Sequence, residues 1–239
     1  MRIAFLISGG GTTMEAIIRA TKGSRLSGVT PVLVIASNPN AGGIQRAKAA
    51  GIPETNILVL SRKDFETAES YGEAIIEECR IRNVDFIGQY GWLMLTPKNV
   101  IEAYQGRIVN QHPGPLDAGR PDFGGKGMFG MRVHAARLGF VKETNHDFWS
   151  EATAHRVTEH FDEGAVVKAT RVPILEGDTP EILQGRMLPV EHDVQIETIK
   201  DFRDNTVQEI IRPEPLIRPQ EISILEAVKA QAITRYPNG

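Results

Sequence analysis

Short unbroken apolar runs alternate with amphipathic stretches along the first half of the chain. Ile3-Ala4-Phe5-Leu6-Ile7, bounded by Ser8-Gly9-Gly10-Gly11, reads as a strand buried on both faces. Thr12 or Thr13 can cap a helix to about Thr21, with Met14, Ile17 and Ile18 turned inward. Val32 to Ala36 is a second buried strand. A helix from Ile44 to Ala50 follows, ended by Gly51 and Pro53. Ile57 to Leu60, Asp85 to Ile87 and Arg107 to Val109 read as further strands. Helices are expected at Phe65 to Arg82 and Pro97 to Tyr104. Strands and helices alternating at this spacing predict an α/β fold, a parallel sheet covered on both faces. Such sheets bind ligands at the carboxyl ends of their strands.

The pattern changes after residue 114. Gly114 to Gly130 is rich in glycine, carries Pro115 and Pro121, and reads as a long loop near that edge. A helix at Arg132 to Leu138 follows. Ala152 to Val157 and Val166 to Val172 flank Phe161-Asp162-Glu163-Gly164 and predict a β-hairpin. Glu181 to Phe202 is a long helix. The tail from Arg212 has three prolines before Gln220 and then a short helix at Ile222 to Ala232. The pattern divides the chain into one domain, 1–204, and a tail, 205–239, packing on it.

At 239 residues, 41% hydrophobic and 24% charged, the composition is that of a soluble globular protein. A net charge of −3 gives no bulk attraction to nucleic acid or an anionic membrane, so neither is an expected partner. The first apolar run is too short for a signal-peptide core or a membrane span, which points to the cytoplasm. The lone cysteine, Cys79, lies among Ile75, Ile76 and Ile81 and reads as core. No spacing of His, Cys, Asp and Glu resembles a zinc site, so no metal is expected.

Asn110-Gln111-His112-Pro113-Gly114-Pro115 follows the strand ending at Val109. In an extended segment Asn110 and His112 point to one face, and Pro113 keeps His112 out of the helical region. An amide donor beside a titratable imidazole suits acyl transfer: one steadies an oxyanion, the other manages a proton. The alternative is a turn in which both side chains cap backbone groups. Ser8 to Thr13 joins the first strand to the first helix, where glycines admit a close ligand and free N–H groups favour an anion. It lacks the lysine of a P-loop and the third glycine of a dinucleotide fingerprint. The fit is to a single phosphate held at Gly10, Gly11, Thr12 and Thr13, the alternative being a packing turn. Asp162 either bonds its own turn or pairs with His112 and raises the imidazole pKa. His155 reads as a packed histidine, while His134, His146 and His160 are expected at the surface. Glu191, on the long helix, either reaches a ligand hydroxyl or is solvated.

These stretches together resemble the phosphoribosylglycinamide formyltransferases of the folate-dependent formyltransferase family. The likeness rests on Phe5 to Thr13 with Ala16-Ile17-Ile18, Ser37-Asn38, Ala47 to Ile52 and Gly91 to Pro97. It continues through Asn110 to Pro113, His155 to Gly164, Val172-Pro173 and Glu191-His192. The resemblance implies a Rossmann-like, mostly parallel sheet ending in the hairpin and long helix. It also implies direct formyl transfer from 10-formyltetrahydrofolate, a co-substrate, to the amine of glycinamide ribonucleotide in purine synthesis, by a monomer or homodimer. Asn110 then steadies the tetrahedral oxyanion, His112 and Asp162 handle the proton, Gly10 to Thr13 hold the phosphate and Glu191 the ribose hydroxyls. Trp92, Leu93, Met94, Leu95, Val157 and Phe161 line the folate. The chain departs from the family pattern in Thr12-Thr13 for Ser-Asn, in lacking an arginine among residues 91–95, and in the sequence after Pro113. The segment 114–130 is longer than the family norm and a second insertion falls at 141–149; a lid, a contact to a different amine and an interface are the open readings of both. Another amine acceptor such as an amino sugar nucleotide, a formyl-folate hydrolase, and a non-catalytic nucleotide or folate binder stay open as alternatives.

Overall fold

A computed structural model describes residues 1–239. Seven strands lie in the order β3-β2-β1-β4-β5-β6-β7: β1 Arg2–Ile7, β2 Thr30–Ala36, β3 Ile57–Val59, β4 Phe86–Gln89, β5 Ile108–His112, β6 Trp149–Arg156 and β7 Val166–Pro173. The helices are α1 Thr12–Lys22, α2 Gly43–Ala49, α3 Ala68–Ile81, α4 Lys98–Ala103, α5 Met131–Thr144, α6 Pro180–Asp204 and α7 Ile222–Arg235. β1 to β5 pair in parallel and β6 with β7 antiparallel, so the sheet is mostly parallel as expected. No helix is long and apolar enough to cross a membrane.

The chain forms two compact units. One holds Met1–Asn110, Arg156–Glu159 and Gln195–Val207. Its central strands read as continuous apolar runs because both faces are covered: Ile3 through Ile7 and Leu33 through Ala36 are fully buried. Ala4, Leu6, Leu33 and Ile87 share one cluster with Tyr71, Ile75 and Cys79 of α3. Burial pushes the Cys79 thiol up to about 12, so this cysteine is packing, not a nucleophile. α3 begins at Ala68, three residues later than the apolar pattern predicts. Thr67 and Ser70 form a reciprocal cap there, the Ser70 N–H donating to Thr67 Oγ1 at 3.0 Å. The registers Ile7 with Ala36, Leu6 with Gln89, and Gln89 with Asn110 put the carboxyl ends of β1, β2, β4 and β5 on one edge.

The other unit holds Gln111–His155, His160–Val194 and Gln208–Gly239. β6 and β7 make the predicted hairpin, with Thr153 opposite Ala169. α7 packs along α5, and Val133, Ala136 and Phe140 share a cluster with Phe123, Ile217, Leu225, Val228 and Ala232. α5 runs past the predicted end at Leu138 to Thr144 and absorbs the front of the second insertion. Gly139 does not break it, because a Cβ there would come within 3.2 Å of Val228 Cγ1: the glycine is a seat for α7. The helix stops at Asn145, in the left-handed conformation (φ 53°). The expectation of a surface His134 is overturned. This side chain is fully buried in α5 beside Arg137, whose guanidinium donates to the Trp149 and Asp147 carbonyls and stacks near Phe123, Phe140 and Trp149. His160 is exposed, and His146 is half-buried between Asp147 and Glu221.

Candidate active site

β5 does not end at Val109 but continues through Asn110 and Gln111 to His112. Polar side chains do not stop a strand; Pro113 does, having no N–H for the ladder, and it biases His112 to the extended form. Asn110 and His112 therefore lie two residues apart on one strand face.

His112 is buried, and its Nε2 lies 3.2 Å from the Phe123 carbonyl oxygen. A carbonyl only accepts, so the neutral ring carries its proton on Nε2 and leaves Nδ1 basic. Nδ1 is 3.6 Å from Asp162 Oδ2, beyond hydrogen-bond length but close enough for the carboxylate to favour a charged ring. The other carboxylate oxygen, Oδ1, lies 3.4 Å from Nε2 of buried His155. Asp162 sits in the left-handed region (φ 60°), which aspartate tolerates, and its Oδ2 accepts from the Gly125 N–H at 2.9 Å. Burial would raise its pKa, but His112, His155 and that N–H outweigh burial and hold the carboxyl down. For His112 the balance runs the other way. Burial lowers the imidazole pKa by more than Asp162 raises it, which reverses the expectation of a raised value. The resting imidazole is neutral.

The first insertion is not an open lid. Phe123 and Gly125, which bond His112 and Asp162, both belong to it. The Asp122 carboxylate ties the turn, accepting from the Asp117 and Gly124 N–H groups at 2.8 Å each. A Cβ at Gly124 would fall 2.7 Å from Asp162 Cβ and 2.6 Å from Leu116 Cδ2, so only glycine allows this approach. Asp117 is buried and accepts from Arg120 and from the Leu216 N–H of the tail.

Glu191 of α6 is not solvated: it is 6% exposed, and burial pushes its carboxyl up to about 7. The Gln111 amide donates to it, while Gln111 Oε1 is buried with no partner. Gln111 and His155 were missed as site residues. The one was legible only as the middle of the Asn-x-His motif, the other only as a polar residue in an apolar strand.

In the first unit the glycine loop joins β1 to α1. Gly11 is left-handed (φ 72°) and a Cβ there would fall 2.7 Å from Gly43 Cα, whereas a Cβ at Gly9 or Gly10 would meet nothing within 4 Å. The backbone is thus open at Gly10 and close-packed at Gly11. Thr12 is half-buried and Thr13 buried in the first turn of α1, where unpaired N–H groups favour an anion. Ser8 links this loop to the segment after β4: its N–H donates to the Gly91 carbonyl at 2.9 Å, and its Oγ accepts from the Leu93 N–H at 3.0 Å. Trp92, Met94 and Val157 belong to one apolar cluster, while Leu93 and Leu95 are about half exposed at 46% and 50%. The buried Trp92 Nε1 has no partner. Phe161 is half-buried in the second unit. No group of three or more His, Cys, Asp and Glu side chains converges as a metal site.

A family model described as formyl transferase matches residues 1–199. The chloroplastic phosphoribosylglycinamide formyltransferase of Vigna unguiculata is 34% identical over 220 residues, 92% of this chain and 66% of that protein. Its namesake in Arabidopsis thaliana is 32% identical over 199 residues, 83% of this chain and 64% of the relative. The chain thus spans just under two thirds of the length of these plant relatives. The crystal structure of glycinamide ribonucleotide transformylase 1 from Symbiobacterium toebii matches with a TM-score of 0.75 at 28% identity, covering 89% of this chain and 94% of that one. By the reach of the family model and the identity to these relatives, the chain belongs to the formyl transferase family.

Proposed function

We propose that the protein transfers a formyl group from 10-formyltetrahydrofolate to the amine of glycinamide ribonucleotide. The observation that carries this reading is the His112–Asp162 pair, set two residues beyond Asn110 on β5 in a member of the formyl transferase family. The amine nitrogen attacks the formyl carbon, and the carbonyl oxygen becomes an oxyanion. The Asn110 amide donates to that oxyanion. His112 Nδ1 takes the proton the nitrogen releases, and the Asp162 carboxylate stabilises the resulting imidazolium. The bond from the formyl carbon to folate nitrogen 10 then breaks, that nitrogen takes a proton, and formyl amide and tetrahydrofolate leave.

The backbone open at Gly10, with Gly11, Thr12 and Thr13, holds the substrate phosphate, and Glu191 accepts from its ribose hydroxyls. Trp92 to Leu95, Val157 and Phe161 contact the folate. Residues 1–204 form the formyltransferase domain, the tail 205–239 belongs with it, and the enzyme works in the cytoplasm on small molecules as a monomer or homodimer. An absorbance assay of 10-formyltetrahydrofolate, with and without glycinamide ribonucleotide, tests the reading. Consumption that requires the amine supports it. Equal consumption without the amine, or none with it, rejects it.

A further inference from the structure

The family model stops at residue 199, yet α7, beyond it, reaches the loop that bonds both His112 and Asp162. Lys229 is the contact. Its Nζ donates to the Asp122 carbonyl at 3.1 Å and to the Gly124 carbonyl at 2.6 Å, the two peptide oxygens flanking Phe123. The residue between them turns its own carbonyl to His112 Nε2 at 3.2 Å, and the next N–H, of Gly125, meets Asp162 Oδ2 at 2.9 Å. One ammonium thus clamps a four-residue turn in which the Phe123 carbonyl and the Gly125 N–H address the two halves of the base pair. The ammonium is part-buried, and burial lowers its pKa against the opposing pull of Asp122 and Asp162. A point charge with three donors suits two converging carbonyls.

We infer that Lys229 is a positioning residue for formyl transfer: by holding Asp122 to Gly125 it keeps the Phe123 carbonyl on His112 Nε2 and so keeps Nδ1 as the basic nitrogen. Lys229 touches neither reacting atom. Its role is to set the tautomer of the ring that does. The same clamp gives the first insertion and the tail a joint purpose, since the tail reaches His112 only through the insertion. Arg132 adds a second tie between them, donating to the Gly127, Tyr236 and Pro237 carbonyls at 2.7–2.8 Å.

The inference rests on the formyl-transfer reading for its activity readout, and the test therefore includes one that needs no substrate. Lys229→Met keeps the aliphatic stem and removes the donors; Lys229→Arg restores donors; Lys229→Gln replaces Met if that variant does not fold. Nitrogen NMR of the imidazoles, with His112 assigned by its loss in His112→Ala, reports which ring nitrogen carries the proton at neutral pH. The groups facing His112 are Asp162, His155, His134 and Lys229, and all but Lys229 are unchanged in these variants. In Lys229→Met the Nε2–H form falls from dominant to mixed. There kcat drops about tenfold, roughly the rate cost of one net hydrogen bond of about 1.4 kcal/mol, KM for both substrates stays within about twofold, and Lys229→Arg recovers part of the loss. An unchanged tautomer overturns the inference, whether kcat holds or falls together with thermal stability. If the assay shows no formyl transfer by the wild type, the NMR result still decides whether Lys229 sets the ring.

Discussion

Glu191→Gln isolates the free energy of holding an ionised carboxylate in the second unit. The carboxyl's pKa is raised by burial from an ordinary 4.5 to about 7, the Gln111 amide offsetting only part of that effect. At 1.36 kcal/mol per pKa unit, this corresponds to about 3 kcal/mol between the two protonation states. The sign follows from proton counts. Between pH 4.5 and 7 the folded chain binds more protons at this site than the unfolded chain. Stability from Glu191 is therefore full below 4.5 and is lost as pH rises through the window. Glutamine keeps the shape, can accept from Gln111 and does not titrate. Guanidinium unfolding of wild type and variant at pH 5 and pH 8 gives the difference free of every other titrating group, because both proteins share them. The variant should gain about 2–3 kcal/mol on the wild type between these pH values. A difference constant to within about 0.5 kcal/mol would refute the burial argument. In the same variant nucleotide affinity should fall, since the carboxylate proposed to accept two ribose hydroxyls is gone.

Asn110→Ala should lower kcat by about 10²–10³, the loss expected for an oxyanion donor, in steady-state assays with both substrates saturating. Near-normal turnover removes Asn110 from that role. Because burial keeps His112 neutral below its ordinary range, the acid limb of kcat/KM should lie below pH 6.5 in Glu191→Gln, where the carboxyl that titrates at about 7 is gone. A limb at 6.5 or above shows the imidazole is not so perturbed. Gly11→Ala must strain a left-handed residue and meet Gly43 Cα at 2.7 Å, so thermal unfolding should show about 1–3 kcal/mol of destabilisation. Gly10→Ala, with nothing within 4 Å, should fold normally and raise nucleotide KM by about tenfold. Equal stability losses in the two variants contradict the contrast between an open and a close-packed backbone.

The strands of the first unit were legible because a strand buried on both faces is a continuous apolar run, as in Ile3 to Ile7 and Val32 to Ala36. β5 was legible only as far as Val109: the pairing that carries it to His112 is a backbone property that polar side chains do not announce. The helix expected to end at Leu138 runs on to Thr144, and a lone glycine at 139 does not declare that Val228 packs against it. The Asn110, His112 and Asp162 positions could be nominated from residue chemistry, and 3.6 Å between His112 and Asp162 is what folding added. The sign of the His112 perturbation was not accessible, since it depends on how much solvent Phe123 and its neighbours remove. Lys229 was invisible for a related reason: its partners are backbone carbonyls about a hundred positions away, and every residue has one.

The seat that Gly139 provides for Val228 has a consequence for how the chain can be divided. Ile217, Leu225, Val228 and Ala232 lie past the residues the family model matches, yet they cover Phe123, Val133, Ala136 and Phe140. The end of the family model is therefore not a boundary of cooperativity. A fragment ending near residue 199 keeps the family's recognisable residues and exposes an oily stripe along α5, a surface that invites self-association. In this protein, the stretch that carries the family's signature is shorter than the stretch that shares its core.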